Sequence, residues 1–277
     1  MSKKQAVQVF NNELHISHSQ IFTYLSCSLK YKFQNVERRA PERISIALPF
    51  GSAIHSAIEM YYRSLKNKNQ VESLNRITER FEDCLLIDLD NIKVPIIYKK
   101  NTPDKTATVE MGKAMLEAFY ISKGDQTALE IIGIELPLSA MLYDADGQPT
   151  DFKLTGIIDL LIRNEKGEII VVDNKTAALS IAQSIADKDN QMTAYSYLLA
   201  SNKYIFPTAP VKCRFDVLRK LKKPKFEQVE TYRMANDRKR FSKIANLVLS
   251  GINAQIFIPQ RSWMCGDCGY KAACKPW

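Results

Sequence analysis

Two acids and a lysine carry the chemical interest of the 277-residue chain: Asp159 near the end of one apolar run, and Asp173, followed by Asn174 and Lys175, at the end of the next. The first run, FKLTGIIDLLIR at 152–163, and the second, EIIVVDNKT at 168–176, are joined by a short polar turn containing Gly167. Two β-branched apolar runs so connected read as a hairpin. Side chains alternate along a strand, so Asp173 and Lys175 share one face, and pairing can bring Asp159 beside them. Mg²⁺ takes hard oxygen ligands and keeps several waters, so two carboxylates and a substrate phosphate make a workable set. Such an ion acidifies a bound water and offsets charge on a phosphate. Lys175 is spaced to orient or help deprotonate that water and to steady developing negative charge. The chemistry this suggests is phosphodiester hydrolysis.

Flanking segments must hold these groups in place. Upstream, FGSAIHSAIEMYY at 50–62 has a helical period that turns Ile54, Ile58 and Tyr61 to the core. His55, one of three histidines, lies beside that stripe. It reads either as an imidazole ligand for Mn²⁺ or Mg²⁺ or as a buried helix histidine bonded to a carbonyl. Glu59, four residues on, reads as an outer acid or as half of a surface ion pair. Downstream, NQMTAYSYLLA at 190–200 is a second helix, on which Gln191 and Tyr195 share a face. An amide and a phenol so placed can bond phosphate oxygens or a base edge, and equally can be an ordinary amphipathic pair.

Taken in order, Gly51-x-x-x-His55, Gly156-x-x-Asp159, Asp173-x-Lys175 and Gln191-x-x-x-Tyr195 resemble the PD-(D/E)XK nuclease superfamily, in its RecB-like branch. The resemblance implies an α/β, restriction-endonuclease-like fold: a mixed β-sheet flanked by helices. It also implies that His55, Asp159 and Asp173, helped by the Asn174 carbonyl, bind Mg²⁺ or Mn²⁺. Lys175 is then the catalytic lysine, acting with Asp159 and Asp173, while Gln191 and Tyr195 orient DNA. Glu135, in the run Ile134 to Pro137, matches an acid often seen on the preceding strand. Asp173 stands where many members carry Glu, a choice common among RecB-like proteins.

The six cysteines add a second feature. Cys265, Cys268 and Cys274 fall close together near the end of the sequence, and Cys27 lies far upstream. Three close thiols suit a tetrahedral thiolate site, and spacing alone leaves zinc and an iron–sulphur cluster both open. The C-x2-C-x5-C ending with a distant fourth cysteine resembles iron–sulphur nucleases of the same branch, including the CRISPR-associated Cas-four type and AddB-like helicase-nucleases. That resemblance implies a 4Fe-4S cluster on Cys27, Cys265, Cys268 and Cys274, built from 19–33 and 260–277. Its usual proline after the first cysteine is here Ser28. Bound by all four, a cluster would close a loop over most of the chain, stabilising the fold on the scale of a long-loop disulfide, about 4–5 kcal/mol. Cys84 and Cys213 sit in apolar contexts and read as packing residues.

Length and charge fit the same picture. The chain is long enough to bury a large core as one domain, 1–277, with a helical insertion at about 60–127 arching over the site. Helices are expected near 19–33, 51–66, 70–89, 104–123, 188–201 and 236–251. Strands are expected near 130–142, 152–163, 168–176, 210–218 and 225–233. No run approaches the ~18 apolar residues of a membrane span, and the opening residues lead into no signal-type apolar stretch, so a reducing cytoplasm is expected. The net charge of +9 and a pI of 9.1 favour a polyanionic partner. Ten Lys or Arg against three acids between positions 219 and 243 could line a strand channel or form a solvated basic face. No G-x-x-x-x-G-K-[ST] loop is present, so no ATP hydrolysis is expected, and any unwinding falls to a helicase, recombination or CRISPR-adaptation partner. The expected activity is exonuclease action on single-stranded DNA, with endonuclease action as a second mode. The alternatives are a non-catalytic nucleic-acid-binding subunit and a zinc-stabilised scaffold.

Overall fold

The computed structural model describes residues 14–68, 70–100, 102–123, 130–144 and 146–277. The sequence period that predicts a hairpin produces two long strands and a third, β4 (Glu130–Tyr143), β5 (Pro149–Arg163) and β6 (Ile169–Ala177). With β1 (His15–Ser17), β7 (Val211–Arg219) and β8 (Lys225–Arg233) they form one mixed sheet in the order β1-β5-β6-β7-β8, with β4 antiparallel along β5. β6 runs parallel to β7, and β8 returns antiparallel.

Alternation along β6 divides the two cores. Val171 points into one apolar cluster and Ile170 and Val172 into another. Helices α1 (His18–Ser26), α7 (Asn190–Ser201) and α8 (Ala235–Asn253) cover the Val171 face. The opposite face is covered by α3 (Ala47–Lys68), α4 (Leu74–Asn91) and α5 (Lys105–Lys123). Asp173 and Lys175 have the parity of Val171, and the fold therefore turns them toward α7. A buried ion pair, Lys123 Nζ to Asp216 Oδ2 at 2.7 Å, fastens the end of α5 to β7 inside a ring of Tyr62, Phe119 and Phe226.

The expected helix at 19–33 is broken. Cys27 is extended, and the chain resumes as α2 (Ser28–Tyr31) and a π-turn, Lys32–Val36. A tertiary tie holds the chain at the break: the Ser28 hydroxyl accepts the Ile258 N–H at 2.7 Å and donates to the Ile258 carbonyl at 3.3 Å. The expected helix at 70–89 starts later, where Ser73 caps the Arg76 N–H. Elements too short for a periodic signal were not anticipated: β1, the parallel pair β2 (Ile44–Ser45) with β3 (Ile96–Ile97), α6 (Gln183–Ala186) and α9 (Lys271–Cys274). A third small core joins Leu29, Tyr31 and Phe33 to Phe257 and Tyr270. No helix of the described residues is long and apolar enough to cross a membrane.

Candidate active site and metal centre

The site lies where two strands part. β5 and β6 pair only from Arg163 with Ile169 to Leu160 with Val172. One residue beyond, the Asp159 carboxylate replaces a strand carbonyl and accepts the Asn174 N–H at 2.9 Å. Both acids are buried, Asp159 at 4 % and Asp173 at 1 % exposure, so each must be compensated within the protein.

For Asp173 the compensation is a closed ring. Its Oδ2 lies 2.6 Å from Lys175 Nζ, and its Oδ1 accepts the Gln191 amide at 2.8 Å. Lys175 Nζ in turn donates to Gln191 Oε1 at 2.7 Å, and the Gln191 amide also reaches Tyr195 Oη at 2.8 Å. The Gln191 and Tyr195 pair, which the spacing alone left as either site or surface, is therefore drawn to the acid and lysine by α7. Burial pushes the Asp173 carboxyl up to about 6, against the pull of Lys175 and with a push from Asp159. For Lys175, burial works downward, but Asp173, Asp159 and Asp189 together outweigh it and hold the ammonium above its ordinary value. Burial, then Asp173 and Asp159, hold the Tyr195 phenol well above its ordinary range.

Two supports set the height of α7. Gly156 permits close approach: a Cβ there would sit 2.9 Å from Leu198 Cδ1 and 3.4 Å from Tyr195 Cε1. Arg233, 1 % exposed, spends its guanidinium on the Thr193 and Thr231 hydroxyls and the Ala186, Asp189 and Tyr232 carbonyls, at 2.6–3.0 Å. It fixes the turn before α7, where Asp189 caps the Met192 N–H. Neither Arg233 nor His18, whose imidazole lies within the field of Lys175 and Asp189, was signalled by spacing.

The candidate cation site is assembled from three elements. His55 Nδ1 from α3 lies 3.3 Å from Asp159 Oδ2 and 3.8 Å from Glu135 Oε1. Among the described residues, His55, Glu135 and Asp159 are the one set of three His, Cys, Asp or Glu whose ligand atoms all fall within 4.8 Å of one another. Glu135 lies opposite Asp159, between the pairs Ile134 with Leu160 and Leu136 with Ile158. Its φ of 45° is left-handed, a strained state for a non-glycine residue, and it follows a register shift at Ile131 to Gly133. This twist aims a carboxylate inward whose Oε2 is buried with no hydrogen bond among the described residues. Glu135 thus ranks with His55 and Asp159, whereas Asp173 is occupied by Lys175 and Gln191. Asn174 contributes its N–H to Asp159, and its own Oδ1 is buried without a hydrogen bond among the described residues. Glu59 lies outside the group, paired with Arg63 at 2.7 Å.

The four named cysteines converge elsewhere. Cys27, Cys265, Cys268 and Cys274 line one cavity of about 580 Å³, with Lys30, Arg261, Lys271 and Lys275 around it and no acid in its wall among the described residues. Burial raises the Cys274 thiol, and Cys27, Cys268 and Cys265 add to the rise. Backbone N–H groups of Gln260 and Ser262 point at the sulfurs of Cys27 and Cys265, at 3.5 and 3.4 Å. Cys84 packs beside Ser56, and Cys213 is buried with its thiol pushed up to about 12, as packing residues.

No curated protein matches the chain by sequence. Among solved structures it is similar to a candidate exonuclease from Eubacterium rectale, with a TM-score of 0.55 and 10 % identity over 94 % of this chain and 89 % of that one. It also aligns with SSO0001 over 90 % of this chain and 94 % of that one, at 15 % identity and a TM-score of 0.39. The first likeness concerns the fold alone, and nothing is drawn from the second. Residues 15–275 match the family model of the PD-(D/E)XK nucleases, so that nearly all of the described fold, acids and lysine included, lies within the match, and the chain belongs to the PD-(D/E)XK nuclease superfamily.

Proposed function

We propose that the protein is a DNA nuclease dependent on Mg²⁺ or Mn²⁺, acting chiefly as an exonuclease on single strands and secondarily as an endonuclease. The observation that carries this reading is the junction of two sets of groups: the Asn174 N–H links Asp159, of the set with His55 and Glu135, to the strand that bears the ring of Asp173, Lys175 and Gln191. His55, Glu135 and Asp159 would hold the cation, with Asp173 able to join once Lys175 and Gln191 turn to substrate. The fit rests on the donor set, an imidazole with two carboxylates, and on the buried Glu135 oxygen that no donor among the described residues serves. A bound divalent ion supplies Lewis acidity toward the phosphate and acidifies water. Lys175 keeps its proton at neutral pH, as its partner requires, and meets the charge that builds on the phosphate. Gln191 fixes where that ammonium points, and Tyr195 fixes Gln191.

The cysteines fit a 4Fe-4S cluster with a structural role, since hydrolysis transfers no electrons. Four thiols facing one cavity suit either a zinc ion or a cluster, and the resemblance to iron–sulphur nucleases is what favours the cluster. Amide N–H groups directed at two of the sulfurs suit anionic sulfur.

The test is an anaerobic preparation assayed for iron and sulphide and for cleavage of end-labelled single- and double-stranded DNA. Cleavage should need Mg²⁺ or Mn²⁺, stop with chelator, and be lost in Lys175→Ala and Asp159→Asn. Full cleavage by both variants would overturn the assignment. Tight binding without metal-dependent cleavage would make the chain a binding subunit.

A further inference from the structure

The cations between positions 219 and 243 do not share one face. Arg219, Arg233 and Arg238 are buried and spent inside the fold. Arg219 bonds to Glu227 and to the Ala178 carbonyl, Arg233 braces the turn before α7, and Arg238 bonds to Ser196 and to the Pro207 and Ala209 carbonyls. Lys239 and Lys243, on α8, line a cavity of about 1090 Å³ beside Tyr143 and Asp144, and no residue of the active site lies in its wall.

Lys220 is placed differently, by contacts to both elements that flank the site. Its N–H donates to the Ala177 carbonyl at 2.8 Å, at the end of the strand that carries Asp173 and Lys175. β6 and β7 run parallel, with Lys175 opposite Val217 and Ala177 opposite Arg219, so Lys220 stands at the end of the sheet toward which the acid and lysine lead. Its ammonium sits 4.2 Å from the centre of the Phe50 ring on α3. Helix α3 gives the scale. Lys66 bonds to the Ile132 carbonyl, His55 faces Glu135 and Asp159, and Phe50 meets Lys220. Five residues at ~1.5 Å each put Phe50 about 7.5 Å beyond His55 along the helix axis. Gly51, four residues before His55 and on the same face, has open space where a Cβ would stand. Burial holds the Lys220 ammonium down to about 8, and Lys99 pushes the same way, so an anion on the open side would counter both. Lys99 itself is turned to Asp267.

We propose that Lys220 binds a backbone phosphate next to the scissile one, on the α3 side of the cation site, and so fixes where the strand lies when it is cut. The proposal rests on the nuclease reading and adds to it a contact that positions the chain of phosphates without reading a base.

The experiment uses the full chain, prepared anaerobically and held in chelator at pH 7, with binding of a fluorescent 12-nucleotide oligothymidylate read by anisotropy over a salt series. Lys220→Gln should weaken binding about 10-fold, the scale of one charge-assisted hydrogen bond, and flatten the slope of log affinity against log salt by about 0.7, the share of one phosphate on a single strand. Lys220→Arg should keep both. Lys239→Gln makes the same change of charge elsewhere in the run and should alter neither. With Mg²⁺ restored, end-labelled strands carrying one neutral methylphosphonate linkage locate the contact: one linkage beside the cut should slow single-turnover cleavage by wild type and slow Lys220→Gln no further. Melting temperature reports whether each variant is folded. An unchanged slope in Lys220→Gln, an equal change in Lys239→Gln, or additive losses at every linkage would overturn the assignment and leave Lys220 as a cap on Phe50. Wild type that cleaves DNA while Lys220→Gln binds normally would leave the nuclease assignment standing, whereas wild type that neither binds nor cleaves would remove both.

Discussion

The sheet site and the cysteine module are held together in opposite ways. At the sheet, Asp173, Lys175, Gln191 and Tyr195 bond to one another, and Asp159 bonds to the backbone of β6, so the protein itself compensates its buried charge. At the module, four thiols face a cavity, two receive long amide contacts, and the core beneath contains five buried residues. The first region is organised by strand register and by α7 before any ligand arrives. On the proposed reading the second is tied together by what its sulfurs hold, so one should tolerate chelation that the other does not.

Breaking each region should therefore break different things. The largest effect is expected for Lys175→Ala: a loss of cleavage of ~10²-fold or more, the scale of a proton- or charge-handling group, with iron content unchanged and the melting temperature lowered because Asp173 loses the ammonium that faces it. Single-turnover cleavage and a melt of the same sample check both halves. Cys268→Ser should do the reverse, removing iron and destabilising the chain by up to about 4–5 kcal/mol, read by denaturant unfolding without oxygen, while traces of folded protein keep an intact sheet site.

A smaller effect separates two motif glycines. Gly156→Ala should cost about 1–3 kcal/mol by overpacking against Leu198 and Tyr195 and should lower cleavage with it. Next comes a dependence on pH in metal-free protein. Asp173 sits near 6 in the fold against 3.8 as an ordinary aspartate, so between those values the folded state holds a proton that the unfolded state has released. Folding stability should rise as pH falls from about 6 to about 4, and Asp173→Asn should flatten that slope; a profile unchanged by the substitution would contradict it. The smallest effect is expected for Gly51→Ala. A Cβ at Gly51 meets nothing, so helix propensity should stabilise α3 by up to about 1 kcal/mol. Any accompanying loss of cleavage would show that substrate approaches there, one turn from His55.

Much of this was legible in the residues because strand and helix periods place side chains by arithmetic. Alternation through Val171, Asp173 and Lys175 puts the acid and lysine on one face, and a four-residue step puts Gln191 beside Tyr195 on a facing helix. What escaped depends on single conformations. The resemblance names Glu135 but gives it no ligand role, because its weight comes through a left-handed backbone that no spacing announces. Arg233 reads as one more cation in a basic run, and only the tertiary turn at 186–189 makes it a buried clamp. The helix expected across Cys27 breaks where Ser28 bonds to Ile258, a residue at the other end of the sequence.

That last contact governs the order of assembly. Cys27 and the 28–33 segment are synthesised long before Phe257, Tyr270 and the other three cysteines. Domains take shape from the N-terminus during synthesis, so the sheet can form while this corner still lacks its second half. The module can therefore close only after position 274 has been made, and a chain cut short before position 265 would carry the acids and lysine of the sheet on a body that can never be sealed.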